Sequence, residues 1–590
     1  MPLFSSSSSD GAPACFSSAS PPPARWVEAP FDPLLADRLS REAEVSPLVG
    51  RILAARGFRD GDHVRGFMSP TLASTHDPFL MADMDRAVDR IAREIAERRP
   101  IWVYGDYDVD GVTATAILSA TLEHLGADAR TYIPHRINEG YGLRREAVEQ
   151  LAAEGARLIV TVDNGVTAID EVARAAELGV DVVVTDHHEP GPELPAAAAV
   201  VNPKRADCRY PFKELCGAGV AFKLAHALLK RLAPDAAAAR EFLKAQLDFA
   251  ALGTVADIVP LIDENRAIVA HGLELLRRGD RPGVRSLFEV AGADPERTRA
   301  DQLAFTLAPR INAAGRTEHA DYALELLTTR DPKRARELAA MLERFNEDRR
   351  RIESDMTDEA FELLAERPDA PVVVVECEGW HPGVVGIVAS RVLDRFHRPT
   401  VVIGIDGEWA KGSARSVPGF DMHEALTACA EHLDQYGGHA MAAGLRLRAS
   451  KIDDFRRAVC EHARRRLGRA PIAPTLTIDA RADAEELDDA CAESIERMEP
   501  FGQGNRKPIV AIDGYNLIEE PRVLKGRHLK LRLAGPDGSD IWAIGFSMAG
   551  RAAELATRAG RLRLAATPFV NRWNGQARLE LSLKDFALEP

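Results

Sequence analysis

Cysteine is sparse and scattered: Cys15, Cys208, Cys216, Cys377, Cys429, Cys460 and Cys491 are odd in number and nowhere spaced Cys-x-x-Cys. That argues against a disulfide framework and against a thiolate zinc site, and a reducing cytoplasm is the expected compartment. Long apolar runs are missing too, since none nears the ~18 to 20 residues of a bilayer span, so a soluble chain with no membrane contact is expected. No basic segment leads into an apolar one at the start, and a signal peptide is not expected. An excess of positive charge is also absent: 75 Lys and Arg stand against 90 Asp and Glu, a net −15 that excludes a protein coated in cations to hold a polyanion. There is no Gly-x4-Gly-Lys-Ser/Thr run, which excludes a P-loop motor. Cys216-Gly217-Ala218-Gly219 lacks the third glycine of a dinucleotide fingerprint and reads as a tight turn into a helix over 222–229.

What is present is a globular balance, 46% hydrophobic and 28% charged, over 590 residues, enough for roughly four domains at ~150 residues each. Residues 1–25, with Ser5 to Ser9 and Pro21 to Pro23, have no hydrophobic period and read as a disordered tail, with a lead-in to 44. Over 45–319, short β-branched runs (Ile101 to Tyr104, Leu158 to Val162, Val182 to Thr185) alternate with helical stretches, which implies right-handed crossovers and a parallel sheet. Residues 320–367 are helical and highly charged, a solvated connector; 368–465 hold a second α/β domain starting at Val372 to Val375. The stretch 466–590, with short strands and glycine-marked turns, reads as a small β-barrel. The predicted fold class is therefore multidomain α/β with a C-terminal OB-like barrel.

The ends of the predicted strands carry the chemistry. Gly105-Asp106-Tyr107-Asp108-Val109-Asp110-Gly111 places carboxylates at every second position, and extended alternation would set all three on one side. Unpaired carboxylates so close repel unless cations sit between them, although an acidic loop capping the following helix explains this run equally well when it is taken alone. Repetition tips the balance. Val162-Asp163-Asn164-Gly165 and Thr185-Asp186-His187-His188 follow two further buried strands, and the carboxyl ends of parallel strands converge on one crevice. Asp257, ending the apolar stretch Ala251-Leu252-Gly253-Thr254-Val255-Ala256, is an acid that must be paired or metal-bound. Carboxylates with one or two imidazoles suit Mn2+ or Mg2+, with ligands enough for two ions, and two such ions a few Å apart serve phosphoryl hydrolysis.

The order GDYDVDG, VDNG, TDHH, ALGTVAD and then Gly437-Gly438-His439-Ala440-Met441-Ala442-Ala443-Gly444 resembles the DHH phosphoesterase superfamily with a DHHA1-type second domain. Two more segments, Pro309-Arg310-Ile311-Asn312-Ala313-Ala314-Gly315-Arg316 and Pro500-Phe501-Gly502-Gln503-Gly504-Asn505, are similar to the RecJ branch of 5′→3′ single-stranded-DNA exonucleases. The resemblance covers roughly 45–590. It implies Asp106, Asp108, Asp110, Asp163, His187 and Asp257 as metal ligands, and His188 as a contact to the scissile phosphate. Tyr104 stands where some members have His, so this chain lacks one imidazole. The resemblance also implies roles in DNA recombination and repair, and a single-strand-binding protein and a helicase as partners.

Arginine meets phosphate with two parallel hydrogen bonds, so Arg310 and Arg316 around Asn312 form a candidate clamp, with an interdomain ion pair as the alternative. Lys411-Gly412-Ser413-Ala414-Arg415-Ser416 offers amides, hydroxyls and a guanidinium to a terminal phosphate. By resemblance Arg136, Arg310, Ser413 and Arg415 hold the 5′-phosphate, with Gly437, Gly438 and His439 beside it. Over 501–590 there are fourteen Lys/Arg and nine Asp/Glu, and Lys525, Arg527, Lys530 and Arg532 with Trp542, Phe546, Phe569 and Trp573 have the composition of a single-strand-binding face. The expected enzyme threads single-stranded DNA between two lobes too narrow for a duplex and releases 5′-mononucleotides. Two alternatives are an oligonucleotide hydrolase of the same superfamily, which needs no barrel, and an inactive scaffold, which needs no converging acids.

Overall fold

The computed structural model describes residues 24–136, 138–365, 370–467, 473–536, 538–556, 561–573 and 576–588. The tail expected over 1–25 therefore lies almost wholly outside the described residues. Two compact units emerge, one formed by Trp26–Glu347 with Leu476–Pro590, the other built on Asp348–Thr475.

In the first unit, strands β1 (Ile101–Tyr104), β2 (Ala129–Tyr132), β3 (Leu158–Val162), β4 (Asp181–Thr185) and β5 (Ala199–Val201) form a parallel sheet in the order β2-β1-β3-β4-β5. β1 and β3 are buried throughout, as their β-branched runs require, because helices cover both faces. The chain leaves β1 toward β2 and returns on the other side at β3, which makes the β1/β3 crevice the switch point of the sheet. Helix α1 (Val109–His124) follows β1 and is buried over nearly its whole circumference, packed by α2 (Gly217–Leu232) and α3 (Leu247–Ala256). α4 (Ala308–Thr317) and α5 (Pro332–Ala365) complete the helical elements that matter for the site. α5 is not the wholly solvated connector its charge suggests, because Ala335, Leu338, Ala339 and Leu342 are fully buried in the main core. A narrow apolar stripe at i, i+3, i+4 and i+7 is easily masked by the charges of the other face.

The second unit has a five-stranded sheet, β6 (Val373–Glu378), β7 (Thr400–Asp406), β8 (Trp409–Arg415), β9 (Gln435–Gly438) and β10 (Ala442–Arg448), in the order β9-β10-β8-β7-β6, with α6 (Val385–Phe396) against β7 and β8 and the helix Ile452–Leu467 packed with Val374, Val401 and Ile403. Only β6 and β7 run parallel.

The C-terminal segment closes into a barrel. β11 (Val510–Leu517), β12 (His528–Ala534), β13 (Asp540–Gly545), β14 (Leu562–Trp573) and β15 (Gln576–Leu588) pair in the circuit β11-β14-β15-β13-β12-β11. Its core is shared with three N-terminal helices, Pro33–Ala43, Pro47–Ala55 and Gly61–Met68: Leu39, Leu48, Ile52, Leu53 and Val64 pack with Ile512, Leu529, Leu531 and Leu564. Sequence reading treated 1–44 as a tail and lead-in and started the first α/β domain at 45, whereas Arg25–Glu28 is a strand and the helices over 33–68 belong to the barrel core. The reason is long-range burial, which no local pattern announces.

No helix among the described residues is long and apolar enough to cross a membrane.

Candidate metal centre

The acid loop after β1 does not remain extended. Asp108 caps α1, its Oδ1 accepting from Asp110 N (2.9 Å) and Gly111 N (3.1 Å), so the helix starts at Val109 inside the acid run itself. Asp110 therefore reaches the site from the first helical turn, a correction to the alternation argument. Both its oxygens are held: Oδ2 accepts from Gly217 N (2.6 Å) and Oδ1 from Ala218 N (2.8 Å), the first amides of α2. The positive end of a helix thus stabilises a buried carboxylate. Cys216 to Gly219 is accordingly more than a structural turn, and its helix starts at Gly217 rather than 222. A side chain at 217 would sit 2.5 Å from Asp163 Cβ, so glycine is what lets α2 approach both acids.

Asp163 follows β3 in the left-handed region (φ 65°), where a non-glycine residue is strained. Its Oδ1 lies 3.1 Å from His187 Nε2, which is also 3.7 Å from Asp257 Oδ2 and 3.8 Å from Asp110 Oδ2. Three sets each gather ligand atoms within 4.8 Å: Asp106, Asp108 and Asp163; Asp110, His187 and Asp257; Asp163, His187 and His188. All seven residues named for this site from sequence are brought together.

Burial first, and the neighbouring carboxylates after it, push Asp106, Asp110, Asp163 and Asp257 above the usual carboxylate range. Burial also takes His187 down to about 4, so its imidazole is neutral. Asp106 Oδ1, Asp163 Oδ1 and His187 Nε2 are buried and make no hydrogen bond. Neutral nitrogen and hard oxygens left without partners are the donor set of a divalent cation such as Mn2+ or Mg2+, and the residues fit that group.

Asp186 was not singled out from sequence, although it stands in the same Asp-His-His run. It is buried and accepts from Val166 N (2.9 Å), His187 N (2.7 Å), His188 N (3.1 Å) and His188 Nδ1 (2.8 Å). Burial would raise it, but His188 and these amides hold it below the usual range. Burial would lower His188, yet the bond to Asp186 lifts it to about 9. Tyr141 was missed altogether: its hydroxyl lies 3.1 Å from His188 Nδ1, and a Gly-Tyr-Gly in a loop gives no signal for that. Tyr104 OH donates to Gly142 O (3.1 Å) and its ring stacks on Tyr132, so this position serves the sheet edge.

The expected substrate residues divide. Arg136 lies 4.7 Å over the Tyr107 ring. Asn312 Oδ1 accepts from Val109 N (3.1 Å) and so ties α4 to the start of α1. Arg310 is buried and held by Glu343 through Nε and through Nη2 (3.0 Å), with Nη1 on Thr306 O (2.5 Å), an ion pair within the first unit rather than the interdomain pair weighed as the alternative. Glu343 on α5 was not anticipated. Arg316 is half-buried at the end of α4.

Within the second unit, Ser413, Gly444 and Gly437 lie in one row across β8, β10 and β9. Ser413 Oγ accepts from Arg415 Nη1 (2.9 Å), Gly438 ends β9, and His439 N donates to Ala442 O (2.8 Å) in the hairpin. On the barrel, β12 alternates Leu529, Leu531 and Leu533 inward with His528, Lys530 and Arg532 outward. Lys530 Nζ is 4.7 Å over Trp542, Phe546 is 59% exposed, and Lys525 and Arg527 sit in the turn before β12. Arg532 is paired with Glu519 and Asp540, which leaves it a weaker candidate for a phosphate. Phe569 is half-buried, and the Trp573 side chain lies outside the described residues.

Family models match in three places: the DHH family N-terminal domain at residues 100–254, the DHHA1 domain at 369–465 and the RecJ OB domain at 478–585. The chain is 41% identical to the single-stranded-DNA-specific exonuclease RecJ of Bacillus subtilis (strain 168), over 96% of this chain and 71% of that protein. Among solved structures it resembles RecJ of Thermus thermophilus in complex with Mn2+ (TM-score 0.82, 32% identity, 96% of this chain and 80% of that one). The same protein in complex with Mg2+ matches with a TM-score of 0.77 at 30% identity, over 96% and 79%.

Proposed function

The chain belongs to the RecJ family of single-stranded-DNA-specific exonucleases, and from that premise we propose that it shortens single-stranded DNA from the 5′ end, releasing 5′-mononucleotides. Asp106, Asp108, Asp110, Asp163, His187 and Asp257 are the proposed ligands of two Mn2+ or Mg2+ ions. The observation that carries the reading is the trio of buried, unpartnered ligand atoms on Asp106, Asp163 and His187 at the carboxyl edge of the sheet. Divalent cations, when bound, offset the negative charge that would repel a phosphodiester, polarise its oxygens and acidify water.

The chain's own residues supply position. The Gly217 and Ala218 amides fix Asp110, and the Asp108 cap fixes the start of α1. Asp186 holds Nδ1 of His188, which leaves Nε2 as the donor to a non-bridging oxygen of the scissile phosphate. Arg136, Arg310, Ser413 and Arg415 are the proposed 5′-phosphate ligands, with Asn312, Arg316, Gly437, Gly438 and His439 as neighbouring contacts. For Arg310 this requires that phosphate replace Glu343, one anion for another. Lys525, Arg527 and Lys530, with Trp542 and Phe546, suit a strand held by backbone charge and base stacking rather than by sequence.

The test is degradation with Mn2+ of long single strands labelled at either end, beside a blunt duplex and a dinucleotide. Early release of the 5′ label as a mononucleotide, with the duplex intact, is expected; rapid dinucleotide cleavage with little attack on long DNA would mark an oligonucleotide hydrolase instead. Asp163→Ala is expected to bring cleavage to the assay floor while single-stranded DNA is still bound, and cleavage at the normal rate would remove Asp163 from the ligand set.

A further inference from the structure

The turn Pro500-Phe501-Gly502-Gln503-Gly504-Asn505 has no part in the reading above, yet it packs directly on residues 257–263, the segment that begins with Asp257. That segment is strained. Ile258 is left-handed (φ 60°) and 68% exposed, and Asp263 has φ 48°. A β-branched residue persists in that region only when its surroundings over-determine the backbone.

The barrel supplies those surroundings. Leu261 N donates to Gln503 O at 2.7 Å. A Cβ on Gly502 would lie 2.7 Å from Leu261 Cδ1, and one on Gly504, itself at φ 72°, would lie 3.0 Å from Pro260 Cβ. The turn is fixed from behind in its own right: Asn505 Nδ2 donates to Met498 O (2.8 Å) and Pro500 O (2.9 Å), and its Oδ1 accepts from Arg56 Nη1 (3.0 Å). Just past the strained segment, buried Arg266 donates to Glu499 O (2.7 Å) and to Phe67 O (2.7 Å), and Asn265 Nδ2 donates to Pro260 O (3.0 Å). Residues 257–263 are thus gripped at one end, while at the other end Asp257 Oδ2 stands 3.7 Å from His187 Nε2.

We propose that the Gly502–Asn505 turn is a positioning element for the metal centre: by clasping Leu261, the barrel sets the place of the Asp257 carboxylate and couples itself to the acid cluster. The inference rests on Asp257 being a metal ligand. Coupling of this kind is reciprocal, so a cation that draws Asp257 inward also tightens the clasp.

Gly502→Ala pushes Leu261 away from the turn, Gly504→Ala crowds Pro260 and Ile262 and also strains its own backbone, and Gly550→Ala, in the same barrel with open space around it, is the control. Calorimetric titration with Mn2+ is expected to show binding weakened about tenfold in Gly502→Ala, as for other residues that orient a ligand, weakened also in Gly504→Ala and unchanged in Gly550→Ala. Binding of an oligothymidylate in EDTA should be unchanged in all three. Wild-type Mn2+ affinity in a folded Gly502→Ala overturns the proposal. Where that variant does not fold, amide exchange at Leu261 in the unaltered protein decides: exchange that slows on adding Mn2+ is expected, and exchange indifferent to Mn2+ overturns it. Asp257→Asn separates the two layers. If it binds Mn2+ normally, the ligand assignment itself has failed; if it loses Mn2+ while Gly502→Ala does not, only the coupling has.

Discussion

Two groups of charges lie equally deep in the first α/β domain and are treated in opposite ways. Lys223 and Glu264, 1% and 0% exposed, meet at 2.5 Å, while Lys223 Nζ also donates to His76 O (2.6 Å) and the Tyr210 hydroxyl bonds Glu264. At the sheet edge, Asp106, Asp110 and Asp163 are 2–3% exposed, yet Asp106 Oδ1, Asp163 Oδ1 and His187 Nε2 have no hydrogen-bond partner. Depth therefore does not mark the site; the deficit does. A buried charge answered by the chain is architecture, whereas several left unanswered in one place are held for a cation from outside.

Breaking the answered pair should cost most. Lys223→Met strands Glu264 in the core and is expected to destabilise the protein by about 3–5 kcal/mol in urea unfolding, while adding Glu264→Leu recovers most of the loss. A single variant as stable as the double would mean that Glu264 finds another partner. Arg310 tests the boundary between the classes, because it is answered by Glu343 and yet proposed for a phosphate. Arg310→Ala should cut the preference for 5′-phosphorylated over 5′-hydroxyl ends about tenfold, or ~1.4 kcal/mol, and Glu343→Gln should raise it by removing the competing anion. If neither variant moves the preference in a competition degradation, Arg310 joins Lys223 as architecture. The smallest effect is expected at the unanswered cluster itself: Asp163→Asn relieves repulsion and should stabilise the metal-free protein by about 1 kcal/mol, while erasing most of the Tm rise that Mn2+ produces. A loss of metal-free stability would show that Asp163 already has its partner.

The sheet and its acid edge were legible because both are local. Val160 to Asp163 and Val184 to His188 carry their burial and their chemistry in one short run, and parallel-sheet geometry brings such runs together. What escaped depends on distant residues. Nothing near Gly217 says that its amide will meet Asp110, more than a hundred positions earlier, and nothing near Arg310 names Glu343. The acid run was read as a choice between ligands in an extended loop and a cap on the following helix, whereas Asp108 caps α1 while its neighbours face the site. The helices over 33–68 were invisible as part of the barrel since their apolar faces specify burial but not the surface that buries them.

That shared core has a consequence during synthesis. Leu39, Leu48, Ile52 and Val64 leave the ribosome early, but the strands that cover them, from Val510 onward, come last. At ~5–20 residues per second the first helices wait on the order of a minute with their apolar faces bare. Because the Leu261 clasp also comes from the late barrel, a nascent chain carries its acid cluster long before the segment bearing Asp257 is gripped. A partly made nuclease is thereby an incompletely assembled one.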